Sequence, residues 1–435
     1  MTTNLAKTKS KSLRNRILLT ISVLSLVRLG TYIPVPYIDR KEFLDLLQSE
    51  TSSINTLLNT FSGGGNNSFG LLSLGILPYI NASIIVQLLT TAIPSLAKLQ
   101  KEEGEYGRRK ITEYVRYLTF FWAIIESISL TFSLKKLVLD WSFLTGTQIS
   151  LSLISGSMIV LWFGELITRD GLGNGSSILI CFNIVSSLPN QIKLFILSLQ
   201  GQESALTSSL FLIGIFLVTT IGCIYMNEGI IKIPLVSSRQ FLSKNTGNTK
   251  KFNNASLPLR LNQAGVMPLV FTSYAISIFS VVINLVKTTV KSPEFFTRVL
   301  VFNEGIVFWG GKLIFWGIYG GLIFFFTYFY STIVLNPKDV AEQLRKNSVV
   351  ILGIPPGNAT KSYLKKTLSR IASINAIFLI SNIIGLQIIE SLFHLNIMSL
   401  RGLGFTSQLI LVNVLIDTLR RIRSFLNEDE NNIEY

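Results

Sequence analysis

The sequence predicts an all-α polytopic membrane protein with ten spanning helices in two halves of five. Three observations carry that reading. Of 435 residues, 49% are hydrophobic and only 14% are charged, against roughly 25% charged in an ordinary soluble domain. Ten windows are nearly free of charge and long enough for about 30 Å of hydrocarbon. The Lys and Arg outside them gather in alternate loops and the two tails taken together, 28 against ten in the opposite loops, as when one side of a membrane retains the cations.

In chain order the windows are residues 17–35, 74–96, 119–134, 149–164, 176–191, 208–226, 264–286, 313–335, 371–389 and 405–419. The first follows a basic stretch, "MTTNLAKTKSKSLRNR", in the manner of a signal peptide. No small-x-small cleavage pattern follows, and the run continues through "LVRLGTYIPVP", so it reads as a retained span. The third carries Glu126, the only acidic residue well inside a span, and the first carries Arg28. Ten spans put both termini on one side. The two tails and the loops after spans two, four, six and eight hold 28 of the 39 Lys and Arg. The opposite loops hold ten, which places both termini on the cytosolic side or its organellar equivalent. The net charge of +15 is thus distributed as a topology signal. The boundary between the halves falls near Gln200, giving units 1–200 and 201–435, a division compatible with inverted repeats around a central path.

Several chemistries have no support in the letters. Cys181 and Cys223 both sit in apolar runs and imply neither a disulfide framework nor a metal site. "GIVFWGGKL" (305–313) lacks the Walker A spacing and its Ser or Thr, and "GLGNG" lacks the dinucleotide-binding spacing. The sole histidine is His394. The chain is expected to be no enzyme and to need no cofactor. A secondary transporter, the alternative reading, requires intramembrane carboxylates or histidines as an ion path, and Glu126 alone supplies little.

Two loops on the cation-rich side are long, about 227–260 and 336–370, and the second contains "GIPPG". Gly353, Pro355, Pro356 and Gly357 should form a stiff turn at a protruding tip. A different irregularity precedes the second span. No charged residue occurs from Thr51 to Ala97, and the front of this stretch reads "FSGGGNNSFG". Polar, glycine-rich backbone at membrane depth must be covered by protein or water. A half-helix folded into a protein funnel, then a break and a full span from about Leu74, accounts for the length; an ordinary external loop is the alternative. Ile76, Ile80, Ile84 and Gln87 share one face of that span. Such a stripe serves packing or a pore, and Asn81 and Gln87 must find partners or water.

Six segments then occur in order: "LVRLGTYIPVPYID" (26–39), "GILPYINASIIVQLL" (75–89), "KEEGEYGRRKITEYVRY" (101–117), "DGLGNGSSILI" (170–180), "LPLRLNQAGVMP" (257–268) and "LNPKDVAEQLRKN" (335–347). Together they resemble the SecY family, channel subunits of the general protein-secretion translocon, from about Arg16 to Leu426. The second span and the loop after it are most similar to the cyanobacterial and plastid branch.

The resemblance implies a clamshell of two pseudo-symmetric inverted halves around an hourglass pore, which passes unfolded polypeptides and releases signal sequences into lipid through a lateral gate. Gly63, Gly64, Gly65, Asn66, Asn67 and Ser68 match the family's plug, at about residues 61–73. The pore ring transfers to Ile76, Ile80, Ile180, Val270 and Ile410, with Ser176 where bacterial relatives often carry an aliphatic residue. The family counterpart of Glu126 faces the lateral gate, and Asn81, Gln87 and Glu126 are expected to form a polar latch there. The resemblance also implies small SecE-type and SecG-type membrane subunits, signal peptides and unfolded preproteins as passengers, and membrane lipid at the gate. A SecA ATPase or a translating ribosome would supply the energy. Its docking candidates are Arg239, Lys244, Lys250 and Lys251 in one loop, with Lys338, Arg345, Lys346 and Lys361 in the other. One departure stands out: Pro355 replaces the family's usual arginine at the second loop tip. The branch resemblance and the short basic front place the chain in a plastid thylakoid membrane with both termini stromal, or else in a bacterial plasma membrane.

Overall fold

The computed structural model describes residues 13–37, 70–102, 104–133, 138, 141–199, 205–237, 256–273, 275–276, 309–392 and 405–433. In chain order these form α1 (Leu13–Thr31), α2 (Leu77–Ala92), α3 (Pro94–Glu102), α4 (Gly104–Ser133), α5 (Phe143–Asp170) and α6 (Gly175–Leu199). There follow α7 (Ala205–Glu228), β1 (Ile230–Ser237), β2 (Ser256–Arg260), α8 (Trp309–Val334), α9 (Pro337–Lys346), β3 (Val349–Ile351), α10 (Asn358–Leu392) and α11 (Phe405–Ile433). The chain makes two compact units, one of Met1–Gln200 with Ile397–Tyr435 and one of Gly201–Asn396. The last helix therefore belongs with the first six.

Helix ends follow breakers and caps more closely than they follow hydropathy. Residues 17–35 were expected in the first span, but α1 begins at Leu13 and ends at Thr31. Pro34 and Pro36 push the residues before them out of the helical region, and Ile33 accepts from the Leu71 amide at 2.8 Å instead. The second window, 74–96, is divided: α2 starts at Leu77 with Pro78 in its first turn and stops at Ile93, which is extended before Pro94. Pro94 then opens α3. Windows 119–134 and 371–389 mark only the apolar parts of α4 and α10, which run for 30 and 35 residues. At 1.5 Å per residue such helices measure about 45–52 Å, well beyond a hydrocarbon layer of about 30 Å. Window 405–419 likewise continues to Ile433 in α11. Four helical runs among the described residues are long and apolar enough to cross a membrane: Gly104–Phe132, Phe143–Asp170, Trp316–Lys346 and Asn358–Gly385. Shorter apolar helices cover Leu77–Thr90, Gly175–Pro189 and Ile213–Glu228.

In the first unit, α2 packs on α4 through Ala82, Val86 and Val115, joined by Tyr79, Ile111 and Leu118. A second cluster brings together Val35, Leu74, Val138, Ile149 and Leu153. The tightest approach joins α5 and α6. A Cβ at Gly175 would stand 1.9 Å from the Gly164 carbonyl oxygen, so the two backbones touch where any side chain would hold them apart.

In the second unit, the described parts of the two long loops, 227–237, 256–260 and 336–370, carry strands and helices. β1 pairs antiparallel with β2, Ile233 opposite Leu257, and with β3, Leu235 opposite Ile351. The order is β2-β1-β3. Ile233, Leu259, Ile351, Leu364 and Ile371 form the core of this region, with Val340 and Leu344 of α9 against it. The Asn336 side chain caps α9 by accepting from the Lys338 amide, and the first thirteen residues of the supposed loop after "GIPPG" are helix. The tip itself is a turn, as expected, with Gly353 and Gly357 at φ 79° and 102°.

Candidate functional site

Ile76 caps the N-terminus of α2, and the Ile80 amide donates to its carbonyl at 3.1 Å. The two side chains are thus one turn apart on one face. They are 2% and 6% exposed, and Ile84, a further turn along, is 8% exposed. Ile76 reaches the α5–α6 approach, where its Cδ1 and that of Leu179 both lie within 3.6 Å of the Cβ position of Gly164. Ile180 on α6 is half-buried, and Ile410 on α11 is 4% exposed. Four aliphatic candidates therefore belong to the first unit. Val270 belongs to the second, on a helical stretch at residues 267–273. It is 7% exposed, and its neighbour Phe271 stacks on Phe326 of α8 with ring centres 5.5 Å apart.

Asn81 Nδ2 donates to Glu126 Oε1 at 2.6 Å, joining α2 to α4. Glu126 Oε2 and the Trp122 indole nitrogen, four residues earlier on α4, are buried, and the indole lies within interaction range of the carboxyl. Gln87 follows Asn81 by six residues and so projects roughly 240° further around α2. It is half-buried on the continuation of the isoleucine stripe. That pair was legible because a polar and an acidic side chain in apolar spans each need a partner.

A polar device absent from the sequence candidates precedes Val270. Asn227 Nδ2 donates to the Cys223 carbonyl, Asn262 Nδ2 to Asn227 Oδ1 at 2.7 Å, and Asn375 Nδ2 to Asn262 Oδ1 at 3.0 Å. All three residues are buried. The chain fixes the approach to residues 267–273 against α7 and α10. Only the contacts reveal it, since 35 and 113 residues separate its members.

Of the docking candidates, Lys338, Arg345, Lys346 and Lys361 are exposed. Lys365, Lys366 and Arg370, on the helical part of α10 that was expected to be loop, are exposed as well. Arg239, Lys244, Lys250 and Lys251 lie outside the described residues, as do Gly63, Gly64, Gly65, Asn66, Asn67 and Ser68. Groups of three or more His, Cys, Asp or Glu able to hold a metal do not occur among the described residues.

A ladder of apolar helices with buried isoleucines and a polar pair between spans fits a channel better than a soluble binding module. The family model for SecY matches residues 70–419. The chain belongs to the SecY family. "Protein translocase subunit SecY" of Vaucheria litorea is 64% identical over 434 residues, covering 99% of this chain and all of that one. Among solved structures, "The structure of a protein conducting channel" superposes with a TM-score of 0.63 at 16% identity, covering 97% of this chain and 95% of that one. "Sec61 in the Canine ribosome-channel complex from the endoplasmic reticulum" has a TM-score of 0.57 at 15% identity, with the same two coverages. As a SecY-family member the chain is a multi-pass membrane protein and the protein-conducting channel of the Sec translocon, not an enzyme.

Proposed function

We propose that Ile76, Ile80, Ile180, Val270 and Ile410 form the constriction through which the polypeptide passes. The burial of Ile76, Ile80 and Ile410 to 6% exposure or less supports this most directly. Aliphatic side chains close around any passing sequence without hydrogen-bonding to it. When the pore is empty they exclude ions by dewetting. In this reading Gly63, Gly64, Gly65, Asn66, Asn67 and Ser68 belong to a movable plug beneath the ring, and the chain divides functionally near Gln200. Crosslinking a stalled secretory chain to cysteines placed at Ile80 and at Val270 tests it. Both positions should capture the chain, and capture at neither would remove the ring from these residues.

The gate is read from the Asn81–Glu126 pair, with Gln87 further along the same helix. Each Leu, Ile, Phe or Val contributes about −0.3 to −0.6 kcal/mol on entering the membrane centre, so a ten-residue signal core gains roughly 3 to 6 kcal/mol. Shifting a two-state equilibrium from about 1:99 to 99:1 takes about 5.5 kcal/mol. Signal binding is thus of the right size to open a gate without chemical fuel. Asn81→Leu removes the partner of Glu126 and should alter how hydrophobic a signal must be to engage. Export of a graded series of signal sequences measures that threshold, and an unchanged series would remove the latch.

The exposed cations Lys338, Arg345, Lys346 and Lys361, together with Arg239, Lys244, Lys250 and Lys251, are read as the docking surface for a translating ribosome or a SecA ATPase. Lys and Arg meet rRNA phosphate or acidic protein there. The ribosome-bound Sec61 neighbour supports the first. SecE-type and SecG-type subunits complete the assembly. The likeness of the second span to the cyanobacterial and plastid branch supports a thylakoid membrane with both termini stromal.

A further inference from the structure

Arg16 lies near the start of α1 and touches two other elements of the first unit. Its Nη1 donates to the Gly171 carbonyl at 3.4 Å, in the turn between α5 and α6. Its guanidinium carbon also stands 4.6 Å from the ring centre of Phe425 on α11. One helical turn along α1, the Thr20 hydroxyl donates to the Arg16 carbonyl at 2.8 Å and accepts from the Leu172 amide at 3.3 Å. The far side of the same turn faces α11, where Arg421 Cδ and Thr418 Cγ2 would each lie 3.8 Å from a Cβ at Gly173. The Gly175 amide closes the turn by donating to Thr168 Oγ1 at 2.8 Å. Helices α1, α5, α6 and α11 therefore meet on residues 171–175.

We propose that Arg16 is a positioning residue for the constriction, a clasp that sets α6 and α11 relative to one another from their shared end. The proposal rests on the reading of Ile180 and Ile410 as ring residues. Ile180 is five residues from Gly175, about 8 Å along the helix axis, and Ile410 is fifteen residues from Phe425, about 22 Å. A small rotation at the clasp thus displaces both side chains. Arginine suits the position because its planar cation donates within its plane while its face lies on an aromatic ring. A lysine ammonium makes either contact but not both in that geometry.

The test uses the full-length channel reconstituted in liposomes, as wild type, Arg16→Gln, Phe425→Leu, the double variant and Arg16→Lys, with Ile80→Ser as the reference for the ring. Idle ion conductance, transit of a model preprotein and the thermal unfolding midpoint are read together. Arg16→Gln and Phe425→Leu should each raise idle conductance about fivefold, equivalent to about 1 kcal/mol at 1.4 kcal/mol per decade. Transit should hold within about twofold, since neither side chain is a ring residue and sites that share no partner combine to within about 0.3–0.5 kcal/mol, roughly a factor of two. The double variant should leak no more than the worse single variant, and Arg16→Lys should recover part of the seal. Unchanged conductance in Arg16→Gln beside a leaking Ile80→Ser would overturn the clasp and leave the ring in place. A tight Ile80→Ser would overturn the ring itself. Falling transit and unfolding midpoint with no rise in leak would mean a structural contact only, and additive leaks in the double variant would likewise overturn a single shared clasp.

Discussion

Serine at both Ile76 and Ile80 is expected to raise the ion conductance of the idle channel at least tenfold. Burying an isoleucine side chain is worth about 1.5–3 kcal/mol, and about 1.4 kcal/mol of barrier corresponds to a tenfold rate. Two hydroxyls in place of two buried butyl groups give water a foothold where the dry ring denied it one. The substitution also separates leakage from misfolding. Position 76 is the N-cap of α2 and makes no side-chain capping bond, whereas serine there is a favoured cap that accepts from the first-turn amides. The helix start should be no weaker, so a leak reads as a change at the constriction. Conductance of reconstituted vesicles under a salt gradient checks it, and a tight double variant would rule out these two residues as the seal.

A larger loss of stability is expected from Gly175→Ala. Its new Cβ would fall 1.9 Å from the Gly164 carbonyl oxygen, a backbone atom that cannot rotate away. Overpacking costs typically 1–3 kcal/mol, and an obstacle of backbone puts this case at about 3 kcal/mol or beyond. The spacing of α5 and α6 would widen, and Ile180 would move with it. Gly317→Ala is the matched control. That glycine sits inside α8 with nothing within 4 Å of its Cβ position, so alanine should leave stability unchanged or add about 0.4–1 kcal/mol. Thermal unfolding in detergent ranks the two. Equal midpoints would mean that the α5–α6 approach relaxes without cost.

The sequence carried the membrane class and most of the spans because lipid imposes one simple demand: about twenty apolar residues in a row. The breaks at Pro34 and Pro94 were passed over, because windows 17–35 and 74–96 were set by hydropathy while proline acts locally on the residue before it. The sequence also carried the need for the Asn81–Glu126 pair, since each polar group in an apolar span needs a partner. The extension of α4 and α10 beyond their apolar windows was not legible, since a helix in water is held by its own backbone bonds and by packing, which hydropathy does not measure. The three-stranded sheet escaped for a different reason. β1 carries Pro234 in its middle, a residue that argues against a strand from sequence, and its two partners lie at 256–260 and 349–351, too distant for any local pattern. The asparagine chain through residues 227, 262 and 375, and the convergence of Arg16 and Phe425 on the Gly171 turn, are likewise products of topology alone.

The return of α11 to the unit begun by α1 bears on how the protein is made. Synthesis proceeds from the N-terminus, so six helices of that unit emerge early and must wait for the whole intervening unit before their last wall arrives. During that interval the faces of α1 and α6 that later meet α11 have only lipid or a chaperone against them. The part of the chain that is born first is the last to be finished, and premature termination anywhere downstream leaves it open.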